Sequence, residues 1–194
     1  FQKNFAMGGG KAPLPQFIEN PGLSKDLPRF MNYVADYGGC GFWRVIWPEY
    51  ILNASNKCMV HTSTCMTLDP QHYRNAKALK IQRQASPDHL KFAQHLKSIS
   101  SEIGFRLIYE IDDIPFREDI PDYNKYKFAF TDDNIREGIQ RIMELCDEMT
   151  VTCQFMKDYF SEKLNDINIT VIPNYVPKFW MGNFYNRDKI ERDY

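Results

Sequence analysis

Between Ser86 and Asp113 the chain carries its strongest constraint: a long amphipathic helix runs, with no room for a loop, into a short strand that is apolar on both faces. Ser86 is placed to cap a helix, Pro87 suits its first turn, and Phe92, Leu96, Ile99 and Ile103 recur at i, i+4, i+7 and i+11. Gly104 supplies the stop, so the spacing predicts a helix over Pro87–Ile103. Phe105–Ile111 follows as a near-continuous apolar run ending in Asp112-Asp113. Such a run suits a strand covered on both sides, which is the environment inside a parallel sheet.

The rest of the chain repeats that alternation. Met31–Ala35, Lys57–Thr62, Ala78–Gln82, Met149–Thr152 and Ile169–Ile172 read as further short strands. Helical patterns fall at Trp43–Leu52, interrupted by Pro48, and at Phe155–Leu164. Another starts at Asp132 or Asp133 and carries Ile135, Ile139, Ile142, Met143, Cys146 and Met149 on one side. Strands alternating with helices imply right-handed crossovers, so the expected class is α/β with a doubly wound parallel sheet. Residues 1–29, with Gly8-Gly9-Gly10 and four prolines, read as an N-terminal extension, 30–178 as the domain, and 179–194 as the start of a linker or tail.

Composition bounds the function. The 194 residues hold 24 Lys plus Arg against 25 Asp plus Glu, so the formal charge of −1 gives no global signal for nucleic acid or membrane. An apolar share of 43% with a mean hydropathy of −0.50 describes a globular chain and excludes a disordered one. The five cysteines include no C-x-x-C pair, and neither a leader pattern nor a long apolar span occurs, so the chain reads as a reduced, cytoplasmic protein. The sequons at Asn53 and Asn168 then read as chance.

In a doubly wound sheet, ligands sit beyond the carboxyl ends of the strands. Gly38-Gly39-Cys40-Gly41-Phe42-Trp43-Arg44 follows the first strand, where backbone N–H groups can receive an anion and Arg44 can add a forked donor, or where a tight turn simply buries Trp43. Asp112 and Asp113 end a buried strand, as a general base on an acceptor hydroxyl, as sugar-binding groups, as a divalent-metal pair, or as loop caps. His61 closes the second expected strand on the ligand side. Seven basic and two acidic residues lie between Arg74 and Arg106, then six acids and one base between Glu110 and Tyr123. That contrast reads as a basic flank beside an acidic mouth, or as two solvated faces. The absence of a Walker A loop, a G-x-S-x-G elbow and H-E-x-x-H excludes the commonest NTPases, hydrolases and zinc proteases.

Taken in order, Gly39-Cys40-Gly41-Phe42-Trp43-Arg44, Lys80-Ile81-Gln82-Arg83, Ile108-Tyr109-Glu110-Ile111-Asp112-Asp113 and Val171-Ile172-Pro173-Asn174 resemble the acceptor-side, N-terminal half of GT-B glycosyltransferases. Family-four-like enzymes encoded by T-even-type phages are the nearest in pattern, over roughly Phe30 to Trp180. The resemblance implies a Rossmann-like domain and metal-free transfer of a sugar from a nucleotide-sugar, the donor substrate, to a hydroxyl, with no tightly bound cofactor. It implies that Asp112 and Asp113 orient the acceptor or act as base, that Gly39, Gly41 and Arg44 approach donor phosphate and acceptor, and that Asn174 marks the approach to the interdomain linker; with His61 and Arg83, placed at strand ends, Gly39, Gly41, Arg44 and Asn174 make up the expected substrate-binding set. It also implies an acceptor such as 5-hydroxymethylcytosine in phage DNA, a host-cytoplasmic location, and a second, nucleotide-holding domain. Without that domain these 194 residues are expected to bind acceptor and to transfer little. Two rival readings stand beside it: a non-catalytic DNA- or protein-binding module on the same scaffold, and a magnesium-binding phosphotransfer or receiver-like domain.

Overall fold

The structure, a computed structural model, describes residues 26–124, 127, 133–164 and 166–175. The expected N-terminal extension up to residue 25 and the expected tail from 179 lie outside these residues. Six strands, β1 (Arg29–Tyr33), β2 (Met59–Ser63), β3 (Ala76–Gln82), β4 (Arg106–Glu110), β5 (Glu148–Val151) and β6 (Asn168–Val171), form one all-parallel sheet in the order β2-β1-β3-β4-β5-β6. The fold is therefore a parallel α/β sheet of Rossmann-like type, and its direction of winding reverses between β1 and β3. Among the described residues no helix is long and apolar enough to cross a membrane.

A helical segment follows β1 in three parts: α1 (Gly39–Gly41), a π-helical stretch (Phe42–Ile46) and α2 (Trp47–Ala54). The remaining helices are α3 (Pro87–Ile103), α4 (Asp133–Leu145) and α5 (Gln154–Lys163). The bounds of α3 are those the periodicity predicts, because its ends are locally encoded. Ser86 Oγ accepts from His89 N–H, and Gly104 takes the left-handed conformation at φ +89°. The loop-then-broken-helix expectation around Pro48 is corrected: helix begins already at Gly39 and passes through Pro48. The π-helical stretch widens the turn just before the proline, and the Arg44 carbonyl four residues back accepts a hydrogen bond from Lys80 Nζ at 3.0 Å.

The two faces of the sheet differ in kind. Met31, Tyr33, Leu79, Ile81, Leu107, Tyr109, Met149, Val151 and Ile169 point to one side and form a single core with Phe92 and Leu96 of α3, Ile139, Ile142 and Met143 of α4, and Phe160 of α5. The register puts the alternate residues on the other side, where Asn32, Lys80, Gln82, Glu110, Thr150 and Thr170 make a polar surface. The Gly39–Ala54 segment lies over that polar face, since Arg44 reaches Glu110 from it. At the free edge, Asn53 stands in for a missing strand: its amide donates to the Val60 carbonyl (2.9 Å) and accepts from Val60 N–H (2.7 Å).

Candidate functional site: an acidic crevice at the winding reversal

The reversal between β1 and β3 is where a parallel α/β sheet leaves a crevice at the carboxyl ends of its strands, and three loops meet there. β1 leads into Asp36 and Cys40, β3 into Arg83, and β4 into Asp112 and Asp113. Arg83 lies at their centre. Its guanidinium is 2.9 Å from Asp113 Oδ2, 3.6 Å from Asp36 Oδ2 and 3.8 Å from Asp112 Oδ1, and it donates to Cys40 Sγ at 3.4 Å. Its backbone is left-handed (φ +48°), unusual for a residue with a Cβ, and its N–H bonds the Glu110 carbonyl at 2.9 Å. A non-glycine residue is thus held in a sparsely populated conformation where three loops converge.

The two aspartates have unequal surroundings. The Asp112 side chain is 11% exposed beside Cys40, whereas that of Asp113 is 56% exposed. Desolvation, then the charge of Asp112, raises the Asp113 carboxyl above the ordinary aspartate value, with Arg83 pulling the other way. Burial, followed by the hydrogen bond and charge of Asp112, pushes the Cys40 thiol up to about 12, so it is a protonated and weak nucleophile at neutral pH. For Arg83, desolvation lowers the pKa but the surrounding Cys40, Asp112, Asp113 and Asp36 outweigh it and raise the net value.

The structure brings Gly39, Gly41, Arg83, Asp112 and Asp113 to this crevice or its wall, but the two glycines serve differently. A Cβ on Gly41 would lie 1.7 Å from the Asp36 carbonyl oxygen, so Gly41 is needed for the close packing of the turn, while a Cβ on Gly39 would meet open space. One N–H of the expected anion cradle is already taken: Asp36 Oδ1 accepts from Gly38 N–H at 2.6 Å.

Arg44, His61 and Asn174 are elsewhere. Arg44 is 5% exposed, so it is no forked donor for a phosphate in solution. It crosses the polar face to donate to Glu110 Oε1 at 2.6 Å, to the Ile172 carbonyl and to Asn174 Oδ1 at 3.1 Å. Asn174 is thereby a tether for the chain leaving β6. His61 lies in the middle of β2, which runs on to Ser63, and is buried, so it does not close the strand towards a ligand. Sequence reasoning passed over Asp36; its signal was its place between the first apolar run and the glycines.

The expected basic flank also disperses. Lys80 is on the polar face, Arg83 is in the crevice, and Lys97 and Arg106 pair with Asp147 and Glu148 at the opposite, amino ends of the strands. A cleft of about 580 Å³ opens at those amino ends, but Asp147 there accepts from Leu107 N–H and from Lys97, which anchors α3 and β4 to the chain entering β5. Its ions are spent on the fold. In class, then, this is a parallel α/β protein with an acidic crevice at its winding reversal. No protein-family model matches the chain, and a search of curated proteins finds no match.

Proposed function

We propose that the crevice is the acceptor-hydroxyl site of a nucleotide-sugar-dependent glycosyltransferase of GT-B type, with these residues as its acceptor-side half. The observation that carries this reading is the pairing of a partly buried Asp112 with a raised, exposed Asp113 at the winding reversal. In the proposed reaction an acceptor O–H gives its proton to Asp113, its oxygen bonds the anomeric carbon, and the nucleoside diphosphate leaves with the electron pair of the broken C–O bond. Arg83 holds Asp113 in place, and the charge of Asp112 keeps its carboxyl raised. Three carboxylates around one guanidinium favour sugar or alcohol hydroxyls over phosphate at this point. A DNA acceptor such as 5-hydroxymethylcytosine would present its hydroxymethyl group on a base turned out of the duplex.

The test is the affinity of the chain for short duplexes with and without 5-hydroxymethylcytosine, at low and moderate salt, repeated with Asp113→Asn. Preference for the modified duplex supports the acceptor role. Equal, strongly salt-sensitive binding reduces the protein to a phosphate-reading module, and no binding moves the acceptor to a saccharide or small molecule. One observation favours a second reading: Cys40 Sγ and carboxylate oxygens of Asp112 and Asp113 lie within 4.8 Å of one another, a grouping that could hold a divalent cation. Magnesium titration with Asp112→Asn as control separates the two, since the transferase reading requires no metal.

A further inference from the structure

The polar face carries a row of buried groups that the crevice chemistry does not use. Gln82, Glu110 and Thr150 occupy one rung across three adjacent strands, with Gln82 opposite Glu110 and Glu110 opposite Thr150, so their side chains share a face. They are 0%, 1% and 5% exposed. Each nevertheless keeps a polar atom with no hydrogen-bond partner among the described residues: Gln82 Nε2, Glu110 Oε2 and Thr150 Oγ1. Three such atoms on neighbouring strands are unusual, because buried polar groups in folded proteins are almost always satisfied.

The chemistry of the row defines its occupant. Gln82 Oε1 accepts from Ala35 N–H at 3.2 Å, which fixes the amide so that Nε2 is the donor left without a partner among the described residues. Glu110 Oε1 is taken by Arg44, leaving Oε2 as an acceptor. A metal ion is disfavoured by the amide N–H and an anion by the carboxylate. A hydroxyl-type oxygen satisfies both, accepting from Gln82 and donating to Glu110, and Thr150 Oγ1 can take either role. Adjacent strands stand about 4.8 Å apart, so Gln82 and Thr150 flank Glu110 at that spacing on either side, and an oxygen over β4 is the position that all three side chains can approach. Such an oxygen could come from water or from a substrate hydroxyl, and the near-complete burial of all three residues selects water.

We infer that the sheet holds an ordered internal water at the Gln82–Glu110–Thr150 rung, hydrating the Glu110 carboxylate directly behind the Arg83 and Asp112 loops. This does not depend on the transferase reading. The water joins the ends of β3, β4 and β5, and Arg83 N–H bonds the carbonyl of the same Glu110, so the crevice floor and the hydration site share a residue.

The experiment is a high-resolution crystal structure of the ligand-free chain, with water residence measured in solution by NMR relaxation dispersion for wild type and Thr150→Val. The expected result is an oxygen within hydrogen-bond reach of Gln82 Nε2 and Glu110 Oε2, and a residence time about tenfold shorter in Thr150→Val, as loss of one hydrogen bond implies. A dry rung in the wild-type crystal overturns the inference, as does an oxygen that is present only when a sugar or polyol is added. If Thr150→Val does not fold, the wild-type crystal and residence time decide alone.

Discussion

Arg44 shows how much one buried side chain can hold. Its guanidinium joins the helical segment after β1 to Glu110 of β4 and to the chain leaving β6, and both members of the ion pair are almost fully buried. Removing it leaves a carboxylate in the interior, so Arg44→Met should cost about 3 kcal/mol, the low end for a broken buried pair because Lys80 still faces Glu110. Arg44→Met with Glu110→Met should recover part of that loss, and urea denaturation of the two variants checks both outcomes. Asp113 makes a second residue-scale prediction. Its carboxyl is raised by desolvation and by Asp112 and opposed by Arg83, so an NMR titration should place its midpoint above the ordinary value of about 3.9. Arg83→Gln, which removes the opposing charge, should move the midpoint higher still. The aspartate pair was legible in the sequence as the end of an apolar run, whereas the Arg44 bridge spans separations of 66 to 130 residues that no local pattern reveals.

Helix α3 owes its start to a reciprocal cap in which His89 Nδ1 accepts from the Ala85 and Ser86 N–H groups at 3.3 and 3.2 Å. That role requires a neutral ring, and burial lowers the His89 pKa, with Asp88 opposing. A His whose folded pKa is depressed contributes stability that is complete above the unfolded value of about 6.5 and is lost as pH falls towards the folded value. His89→Gln, which keeps an N3 acceptor, should flatten this loss, measured as the difference between the two proteins in melting temperature from pH 7.5 to 5. At α4, Gly138 packs against the loop after β3. An added Cβ would lie 2.1 Å from the Ala85 carbonyl oxygen, so Gly138→Ala should destabilise by about 1–3 kcal/mol despite its better helix propensity, as chemical denaturation would show. The strands expected from apolar runs all formed, with ends moved by one or two residues except at Gln82, where β3 stops as expected. Hydrophobic runs mark which residues are covered, while hydrogen-bonded pairing sets where a strand stops, and pairing depends on neighbours far away in sequence.

At the scale of the described residues, much of the basic charge is paired: Lys97, Arg106, Lys127, Arg136, Arg141 and Lys163 each sit beside a carboxylate. Any DNA binding should therefore release few counterions, with the logarithm of the association constant falling against log salt with a slope no steeper than about −3. A steep slope measured by fluorescence anisotropy would mean that a basic surface exists which the described residues do not show. The sequence by itself determined the α/β class, the alternation of elements, helix α3 with both its ends, and the placing of Asp112 and Asp113 at a strand's carboxyl end. These follow from hydrophobic period, capping residues and chain punctuation, which act within a few residues of one another. Tertiary structure alone decided the strand order, hence which loops share the crevice, and with it the encirclement of Arg83, the burial of Arg44 and His61, and the scattering of the basic residues. Those depend on which segments become neighbours after the sheet has assembled, and burial and pairing energies are properties of that assembled neighbourhood, absent from any local stretch of chain.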